Sequence, residues 1–462
     1  MSLASALASL LGPESVSTEA DDLEAYGLDW TRFYQPAPAA VVFPRSTEEV
    51  VALVQYARQE KIGLVPSGGR TGLSGGACAL HGEIVVSFER MNELLELNTE
   101  EPSATVQSGF ITANLQQRAS DSNLYYPVDF ASSGSSHIGG NIATNAGGIR
   151  VIRYGMTRDW VSGLKVVTGT GEVLDLNRGL IKNNTGYDLR HLFVGSEGTL
   201  GFIVEATLRL TQPPEPTSVL LLATDAMANC LPLLQAFQQS LTINAFEFFS
   251  DNALSHVLAT SDLEAPFAAR SPYYVLIEVA HTSADANTRI ETAFSRCLDA
   301  GYCLDAILSS SEQQSRNLWQ YRERISEAIT PRTPYKNDIS VRVTDTPTLL
   351  QRVEAATSSL YPDLEIVWFG HIGDGNLHLN VLRPESQSVA AFKQDCDKLS
   401  EKVLEIVQQM GGSVSAEHGV GLLKKPHLLY SRSAAELAAL KGLKQVFDPD
   451  GIMNPGKVFD LP

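Results

Sequence analysis

Cysteine is scarce in this sequence, and its placement argues against several common frameworks. The cysteines are odd in number and scattered, and no C-x-x-C motif occurs. A disulfide framework, a zinc ribbon and a cysteine-ligated iron–sulfur cluster are therefore not expected. The five residues are Cys78, Cys230, Cys297, Cys303 and Cys396.

Positive charge and long hydrophobic runs are also lacking. The net charge of -18 argues against nucleic acid or an anionic membrane as the main partner, and an anionic substrate would need a local cationic pocket. No apolar run reaches the length of a membrane span. The amino terminus, MSLASALASLLGPES, lacks the basic region and long apolar run of a signal peptide. We expect a cytoplasmic protein without a membrane span.

What the sequence does contain is material for two or three domains. It has 462 residues, of which 44% are hydrophobic and 19% charged. AVVFP, a helix opened by the capping box at Ser46, and GLVPSG predict a β-α-β start. The short, closely spaced strands that follow favour an α+β domain with antiparallel and mixed pairing over a doubly wound sheet.

A proline-rich linker, TQPPEPTS, separates this part from the rest of the chain. Beyond it, strands alternate with helical stretches, which fits a second domain made of one sheet covered by helices. The turn-rich tail FDPDGIMNPGKVF can return to the first domain. We therefore predict a first domain over residues 1–213, a second over 214–416, and a C-terminal segment over 417–462.

Two glycine-dense segments carry the chemistry of the first domain. They are PSGGRTGLSGG, from Pro66 to Gly76, and GSSHIGGNIATNAGG, from Gly134 to Gly148. Neither matches the dinucleotide fingerprint of a Rossmann fold or a Walker loop. Such segments bring backbone N–H groups close together and form a nest for anions. Because there are two of them, interleaved with Ser, Thr and Asn, phosphate binding is favoured over a pair of flexible loops.

The second domain contains two histidines in the stretch WFGHIGDGNLHLNV. His371 and His378 are seven residues apart, too far for the helical pair of a zinc protease. Asp-Gly between two apolar runs is a strong hairpin signal. With Asp374-Gly375 as a two-residue turn, His371 faces His378 across the hairpin, and both imidazoles can reach one metal. Asn380 then lies on the same face.

A second segment, AEHG, supplies a carboxylate beside an imidazole at Glu417 and His418. Two histidines and one glutamate make a three-ligand site with open positions, which is typical of catalytic sites. A polar hairpin face without a metal is the alternative. Such ligands suit zinc and also accept manganese or iron.

Several stretches together resemble one family of flavoproteins. They are PSGGRTGLSGG, GSSHIGGNIATNAGG, RYGMTRDWVSGLKVV, GSEGTLGFIVEATLRL, HIGDGNLHLN, AEHGVG and FDPDGIMNPGK. The chain resembles the vanillyl-alcohol-oxidase-type (PCMH-type) flavoproteins, in the branch of D-lactate, glycolate and D-2-hydroxyglutarate dehydrogenases. The resemblance implies an α+β fold: a two-subdomain FAD-binding domain, a substrate-binding cap domain with an antiparallel sheet, and a C-terminal segment that closes the active site.

The same resemblance assigns the cofactor residues. Some members of the family attach FAD covalently through a histidine, but His81 and His137 do not match that pattern, so we predict FAD bound without a covalent link. Pro66 and the run Ser67, Gly68, Gly69, Arg70, Thr71, Gly72 and Leu73 would wrap the pyrophosphate. The flavin and ribityl chain would be lined by Pro127, Asp129, Ser133, Gly139, Asn141, Thr144, Asn145, Gly147 and Gly148. The adenine side would meet Glu197, Gly198, Gly201 and Ile203, and Asn454 would approach the isoalloxazine.

For the second domain, the resemblance assigns metal-binding, catalytic and substrate-binding roles. The metal ligands would be His371, His378 and Glu417, and His418 would be the catalytic base. Substrate would be bound by Arg322, Ser326 and Lys336, and would be contacted by His418 as the base. Asn380 is added from its place on the histidine face of the hairpin, from which it can reach the metal or the substrate. A guanidinium and an ammonium in an acidic protein suit a substrate with two carboxylates. The ordinary interpretation of such charges is a solvated helix face.

The resemblance implies a dehydrogenase that oxidises D-2-hydroxyglutarate, with D-malate as a second substrate, by hydride transfer to FAD. Because iron–sulfur cysteines are lacking, electrons are expected to pass to an external acceptor, such as an electron-transfer flavoprotein or a quinone-linked carrier. Two alternatives remain open: a D-lactate or glycolate dehydrogenase on the same scaffold, and a non-catalytic flavin subunit of an electron-transfer complex. A homodimer is expected from the habit of the branch.

Overall fold

A computed structural model describes residues 2–31 and 33–461 of the chain, so the end residues of the predicted domains, Met1 and Pro462, lie outside the described residues. The chain divides into two compact units. The first unit runs up to Gly148, from Gly155 to Pro213, and from Glu417 onward. The second unit comprises Ile149–Tyr154 and Pro214–Ala416.

Helices and strands alternate along most of the chain. The strands are β1 (Val16–Ser17), β2 (Ala40–Val42), β3 (Leu64–Ser67), β4 (Ile84–Ser87), β5 (Leu94–Asn98), β6 (Ser103–Gln107), β7 (Val161–Thr168), β8 (Val173–Leu176), β9 (Gly201–Arg209), β10 (Thr217–Thr224), β11 (Thr242–Ser250), β12 (Tyr273–Ala280), β13 (Asp305–Leu308), β14 (Tyr335–Ser340), β15 (Glu365–His371) and β16 (Asn376–Leu382). The α-helices are α1 (Leu3–Leu11), α2 (Ala20–Tyr26), α3 (Thr47–Glu60), α4 (Thr112–Asp121), α5 (Ile138–Thr144), α6 (Val151–Tyr154), α7 (Thr157–Trp160), α8 (Arg190–Phe193), α9 (Cys230–Gln238), α10 (Asp251–Thr260), α11 (Ala286–Asp299), α12 (Glu312–Glu323), α13 (Ile325–Ile329), α14 (Thr346–Leu360), α15 (Val389–Gln409) and α16 (Ala434–Phe447). Short 3-10 helices span Pro13–Ser15, Met227–Asn229, Thr330–Arg332, Val343–Asp345 and Lys425–Tyr430.

The first unit contains two sheets. One has the order β1-β2-β4-β3, in which β4 pairs in parallel with both β2 and β3. Helix α3 connects β2 to β3, as expected for the predicted β-α-β start. At the start of α3, the Ser46 hydroxyl accepts a hydrogen bond from the N–H of Glu49. The other sheet is antiparallel, with the order β5-β6-β9-β7-β8. The predicted α+β character of this unit is therefore confirmed.

The second unit is built on one antiparallel sheet of seven strands, in the order β13-β10-β12-β11-β15-β16-β14. One face packs against α9, α11, α14 and α15, through side chains such as Phe246, Trp368 and Val403. The other face packs against α10, α12 and α13, through side chains such as Phe249 and Leu318. Because the central strands are covered on both faces, they are apolar along most of their length. The predicted antiparallel sheet covered by helices is confirmed.

Residues 149–154 belong to the second unit, although the predicted boundary places them in the first domain. Ile149 and Ile152 pack against the two cores of the second unit. The guanidinium of Arg150 also forms an ion pair with the buried carboxylate of Glu278 on β12, with Nε 3.1 Å from Oε1. This segment, α6 included, is held to the seven-stranded sheet because its apolar side chains and its charge find partners there.

Among the helices in the described part of the chain, none combines the length and the apolar character needed to cross a bilayer.

Candidate active site

The two histidines lie on the predicted hairpin, but its register differs from the prediction. In the ladder between β15 and β16, His371 pairs with Asn376, and His378 pairs with Phe369. The loop therefore contains four residues, from Ile372 to Gly375, and not the two of the predicted turn. The prediction that His371 directly faces His378 is wrong.

Backbone geometry explains the longer loop. A two-residue turn of the Asp-Gly type needs positive φ at both central residues. Here Gly375 has a φ of +84°, whereas Asp374 is not among the residues with positive φ. A Cβ on Gly375 would also overlap the carbonyl oxygen of Val341, so only glycine fits. The Asp374 carboxylate accepts a hydrogen bond from the N–H of Asn376 at 3.1 Å, which makes it a turn residue.

The two imidazoles still lie on one face of the sheet. His371 and Phe369 are two residues apart on β15, and Phe369 is the cross-strand partner of His378, so all three side chains point the same way. The ring centroids of His371 and His378 are 5.3 Å apart, and the rings are nearly perpendicular at 84°. The histidines are diagonal neighbours, and their rings can approach a common ion from two directions.

A carboxylate on a neighbouring strand stands behind each imidazole. On β11, Glu247 is fully buried, and its Oε1 is 2.7 Å from Nδ1 of His371. On β14, Asp338 is the cross-strand partner of His378, and its Oδ1 is 3.8 Å from Nδ1 of that ring. Asp338 also accepts a hydrogen bond from the amide of Asn376 at 2.8 Å. A carboxylate within hydrogen-bond distance of the ring, as Glu247 is for His371, orients a metal-binding histidine.

Glu247 was missed by the sequence analysis. The only local signal is its position in AFEFFSD, where it is the one charged residue inside an apolar strand. A buried carboxylate needs partners, and a lone acidic residue in such a strand indicates that a partner reaches it from elsewhere in the fold.

The predicted substrate residue Arg322 is held by the same carboxylate. Its Nε and its Nη2 each lie 2.9 Å from Oε2 of Glu247. The guanidinium carbon lies 4.7 Å from the centre of the Phe369 ring. These contacts fix the plane of the guanidinium at the end of α12, and they use Nε and Nη2 but not Nη1. The N–H groups of Nη1 are not used in these contacts, and a guanidinium nitrogen can donate to an anionic ligand.

Two further predicted substrate residues, Lys336 and Asn380, are cross-strand partners on β14 and β16, and they share the face of the histidines. The Asn380 amide is buried and donates to the carbonyl of His378 at 3.3 Å. Lys336 is exposed, yet the surrounding protein lowers its pKa from the ordinary 10.5 by desolvation. Ser326, the remaining predicted residue of this unit, is exposed on α13.

Glu417 and His418 belong to the first unit. Their side chains lie close together, with Nε2 of His418 3.5 Å from Oε1 of Glu417. The preceding residue, Ala416, ends the second unit, and its N–H donates to the carbonyl of Asp338 at 3.4 Å.

The glycine-rich segments of the first unit meet around a pocket. A Cβ on Gly69 would overlap the carbonyl oxygen of Ser135, so glycine permits the close approach of the two segments. The predicted cofactor residues that line the pocket are Pro66, Gly68, Gly69, Arg70, Thr71, Gly72, Gly139, Asn141, Thr144, Glu197, Gly198, Gly201 and Ile203. Those outside its lining are Ser67, Leu73, Pro127, Asp129, Ser133, Asn145, Gly147, Gly148 and Asn454.

Several polar atoms around this pocket are buried without a protein partner among the described residues. They are Oγ of Ser67 and of Ser108, Nδ1 of His137 and Oδ1 of Asn454. Buried polar atoms are rarely left unpaired, so this group fits a polar ligand such as FAD. Ser108 and His137 also line the pocket and were missed as cofactor residues, although His137 lies within the second glycine-rich segment.

Two predicted cofactor residues join the C-terminal segment to the glycine-rich loops. The Glu197 carboxylate accepts hydrogen bonds from the N–H groups of Val420 at 2.7 Å and Gly421 at 2.8 Å. Burial raises the pKa of Glu197, and these two bonds oppose that rise. The Asn454 amide donates to the carbonyls of Gly76 at 2.9 Å and Glu197 at 2.7 Å. Both side chains thus support the wall of the pocket.

Comparison with protein families assigns both parts of the chain. Residues 38–177 match the model described as an FAD binding domain, and residues 213–458 match the model described as FAD linked oxidases, C-terminal domain. The chain belongs to the FAD-linked oxidases. The predicted FAD-dependent oxidoreductase is therefore confirmed, and FAD is its cofactor.

Within the FAD-linked oxidases, the chain is a member of the D-2-hydroxyglutarate dehydrogenase family. It is 55% identical over 453 residues to the D-2-hydroxyglutarate dehydrogenase of Stutzerimonas stutzeri (strain A1501), with 98% of each chain covered. It is 34% identical over 457 residues to the mitochondrial D-2-hydroxyglutarate dehydrogenase of Arabidopsis thaliana, and the alignment covers 97% of this chain and 80% of that protein. The branch predicted from the sequence motifs is confirmed.

Solved structures with the same fold are more distant in sequence. The structure of p-cresol methylhydroxylase with substrate bound matches this FAD-linked oxidase with a TM-score of 0.77 at 15% identity, over 99% of this chain and 96% of that chain. Alkyldihydroxyacetonephosphate synthase matches with a TM-score of 0.74 at 18% identity, over 98% and 84% of the two chains. At this identity the likeness concerns the fold alone, and it confirms the predicted PCMH-type architecture.

Proposed function

We propose that the protein is an FAD- and divalent-metal-dependent dehydrogenase that oxidises D-2-hydroxyglutarate to the 2-oxo acid. The observation that carries the proposal is the arrangement of Arg322, His371 and His378 around one sheet face, where a buried cation and two imidazoles converge. A substrate with two carboxylates and an α-hydroxyl matches this combination of groups. The 55% identity to a protein named for that activity supports the same choice.

The residues proposed to hold the metal are His371, His378 and Glu417, with zinc favoured and manganese or iron as further candidates. The donor set fits a divalent ion, because the ring centroids of the histidines are 5.3 Å apart and the Glu247 carboxylate lies 2.7 Å from Nδ1 of His371. A bound divalent ion would lower the pKa of the substrate hydroxyl. FAD, held without a covalent link by the first unit, would accept the hydride from the substrate Cα.

The other groups of the chain bind the substrate and move one proton. Arg322 presents Nη1 to a substrate carboxylate while Glu247 holds the rest of its guanidinium. Lys336 adds a second positive charge, and the neighbouring Asn380, with Ser326 and His418, completes the proposed substrate contacts. The imidazole of His418 accepts the proton of the hydroxyl, so loss of this proton and of the Cα hydride converts the alcohol to the 2-oxo acid.

D-malate, a shorter dicarboxylate, is proposed as a second substrate. Electrons are proposed to leave FAD for an external acceptor, such as an electron-transfer flavoprotein or a quinone-linked carrier, because the cysteines in the described residues are all buried and free. A homodimer is proposed from the habit of the family branch. A D-lactate or glycolate dehydrogenase is the second candidate function, because these substrates have one carboxylate and would need only one of the two cations, Arg322, to bind it.

A panel of 2-hydroxy acids tests the proposed substrate. The purified enzyme is mixed anaerobically with D-2-hydroxyglutarate, D-malate, D-lactate, glycolate and the L-enantiomers, and reduction of the flavin is followed by its visible absorption. We expect D-2-hydroxyglutarate to reduce the flavin at the highest kcat/KM and its L-enantiomer to leave it oxidised. If D-lactate or glycolate is the better reductant, the second candidate function replaces the first.

The lowered pKa of Lys336 predicts a pH dependence of substrate binding. The ammonium attracts a carboxylate only while it is protonated, so KM for D-2-hydroxyglutarate should rise as pH increases into the alkaline range, before an ordinary lysine of pKa 10.5 would titrate. Lys336→Arg keeps its charge throughout this range, so its KM should stay level. The measurement is KM against pH for both proteins, and parallel profiles would exclude Lys336 as the titrating group.

A further inference from the structure

The buried carboxylate of Glu247 lies between two groups that the proposed function uses separately. Its Oε1 meets Nδ1 of His371 at 2.7 Å, and its Oε2 meets Nε and Nη2 of Arg322, each at 2.9 Å. The three residues come from β15, β11 and α12 and are far apart in the sequence. One side chain therefore contacts both the imidazole proposed for the metal and the guanidinium proposed for the substrate.

The position of Glu247 is set by the sheet. Phe248 and Phe249 pair with Gly370 and Phe369, and continuing this register by one residue brings Glu247 opposite His371. Glu247 is fully buried, and the side chain of Arg322 is only 9% exposed. A buried charge of this kind is retained only when hydrogen bonds satisfy it, and here three donors surround the two carboxylate oxygens.

The contact also decides which nitrogen of His371 carries the hydrogen. An ionised carboxylate can only accept hydrogen bonds, so His371 donates through Nδ1–H and keeps the lone pair on Nε2. Nε2 is then the nitrogen able to bind a metal ion. Arg322 can only donate, so it cannot replace the carboxylate in this role.

We propose that Glu247 is a positioning residue that holds His371 in the Nδ1–H tautomer and orients Arg322 from the same carboxylate. This inference rests on the proposed function, because it gives His371 a metal to bind and Arg322 a carboxylate to bind. It assigns Glu247 no contact with substrate or flavin. Asp338 stands in the corresponding place behind His378, but at 3.8 Å from Nδ1 it is beyond hydrogen-bond distance.

Glu247→Gln keeps nearly the same side-chain shape but cannot maintain both contacts, the one to His371 and the one to Arg322. Glutamine has one acceptor oxygen and an NH2 group, so it cannot accept from both His371 and Arg322. When the glutamine oxygen accepts from Arg322, the glutamine NH2 group faces Nδ1 of His371 and donates to it. This favours the Nε2–H tautomer of His371, in which Nε2 has no lone pair for the ion. Loss of such a carboxylate behind a metal-binding histidine typically weakens metal affinity by about 10- to 100-fold.

The chain offers a matched control at the other end of β15. Glu365 also pairs with a histidine, with Oε1 2.8 Å from Nε2 of His256, and it begins the strand that His371 ends. Glu365→Gln removes a carboxylate–histidine contact of the same kind from the same strand. Because this pair is remote from Glu247, its loss should leave the metal affinity unchanged.

The experiment measures Zn²⁺ affinity of the full-length, FAD-loaded protein after metal stripping, by competition with a chromogenic chelator. We expect Glu247→Gln to bind Zn²⁺ about 10- to 100-fold more weakly than the wild type, and Glu365→Gln to match the wild type. We also expect Glu247→Gln to raise KM for D-2-hydroxyglutarate while retaining its FAD. Equal Zn²⁺ affinity in Glu247→Gln and the wild type would overturn the proposal.

A second measurement tests the proposed tautomer of His371 without the variant, in case Glu247→Gln fails to fold. Nitrogen chemical shifts of ¹⁵N-histidine in the metal-stripped wild type, assigned with His371→Gln, report the tautomer of His371 directly. Nδ1–H supports the inference, and Nε2–H contradicts it. A wild type that binds Zn²⁺ no better than His371→Gln would instead refute the proposed metal site, and the tautomer would still test the role of Glu247.

Discussion

Replacing His418 by asparagine is expected to lower kcat by about 100- to 10,000-fold, the usual contribution of a general base. Asparagine keeps the approximate size of the side chain and can donate a hydrogen bond, but it cannot take up the hydroxyl proton. FAD should remain bound, because the pocket that fits it is lined by the glycine-rich segments and does not include His418. The experiment measures single-turnover flavin reduction and the content of FAD.

His427→Asn is the matched control for this substitution. His427 lies in the same unit, nine residues further along, on the short helix Lys425–Tyr430, and it is partly buried as His418 is. We expect its replacement to leave flavin reduction close to that of the wild type. Near-normal turnover in His418→Asn would remove His418 from the proposed mechanism, and equal losses in both variants would point to a general structural effect.

Replacing Asp448 by alanine is expected to destabilise the first unit by about 3–5 kcal/mol, as breaking a buried ion pair from one side commonly does. Asp448 is fully buried, and its carboxylate accepts from Nζ of Lys444 at 2.7 Å and from the N–H groups of Ile452 and Met453 at 3.0 and 2.9 Å. Without it, the buried Lys444 ammonium keeps, among the described residues, the carbonyls of Thr199 and Met453 as acceptors. Denaturant unfolding followed by flavin fluorescence measures the loss.

The consequence for the cofactor follows from the position of Asp448 in the chain. The turn that it holds leads directly to Asn454, whose amide binds the carbonyls of Gly76 and Glu197 beside the pocket. We therefore expect Asp448→Ala to release FAD at lower denaturant concentration. Asp450→Ala is the control, since its ion pair with Arg58 is partly exposed and such pairs contribute about 0–1 kcal/mol. Equal stability of the two variants would show that the buried Asp448–Lys444 pair contributes no more than the exposed Asp450–Arg58 pair.

The histidine hairpin shows what local sequence can and cannot determine. The Asp-Gly signal located the turn, and alternation along the strands placed His371 and His378 on one face. The register was off by two residues, and one contact of the longer loop, the close approach of Gly375 to the carbonyl of Val341, involves a residue outside the hairpin that the local pattern does not reveal. A shift of two residues preserves the face, so the pairing changed while both imidazoles stayed on one side of the sheet, and the metal site stays a prediction.

Glu247 and the segment of α6 could not be predicted because their roles depend on distant partners. Glu247 and His371 are 124 positions apart in the sequence. The sequences of β11 and β15 do not show that these two strands are neighbours in the sheet. α6 has only four residues, too few for a helical period to be recognised. Its attachment to the second unit follows from Ile152 and from Arg150, whose partner Glu278 lies on β12.

The cofactor pocket could be predicted in part from the sequence. Glycine composition indicated an anion nest, and the residues around Gly69 and Gly139 do line a pocket. Other predicted residues serve the fold: the Asn145 side chain accepts a hydrogen bond from the N–H of Arg158 at 2.9 Å, near the start of α7. Whether a polar side chain faces the pocket or supports its wall depends on packing between segments, which a motif does not encode.

We propose that this FAD-linked oxidase removes a hydride from D-2-hydroxyglutarate with the help of a metal held by His371 and His378. The most direct measurement is anaerobic reduction of the flavin by this substrate in three samples: purified enzyme, chelator-stripped enzyme, and stripped enzyme to which Zn²⁺ or Mn²⁺ has been returned. We expect rapid reduction in the first, little in the second, and recovery in the third. Full reduction in stripped enzyme that is free of metal would exclude a role for the metal in this reaction.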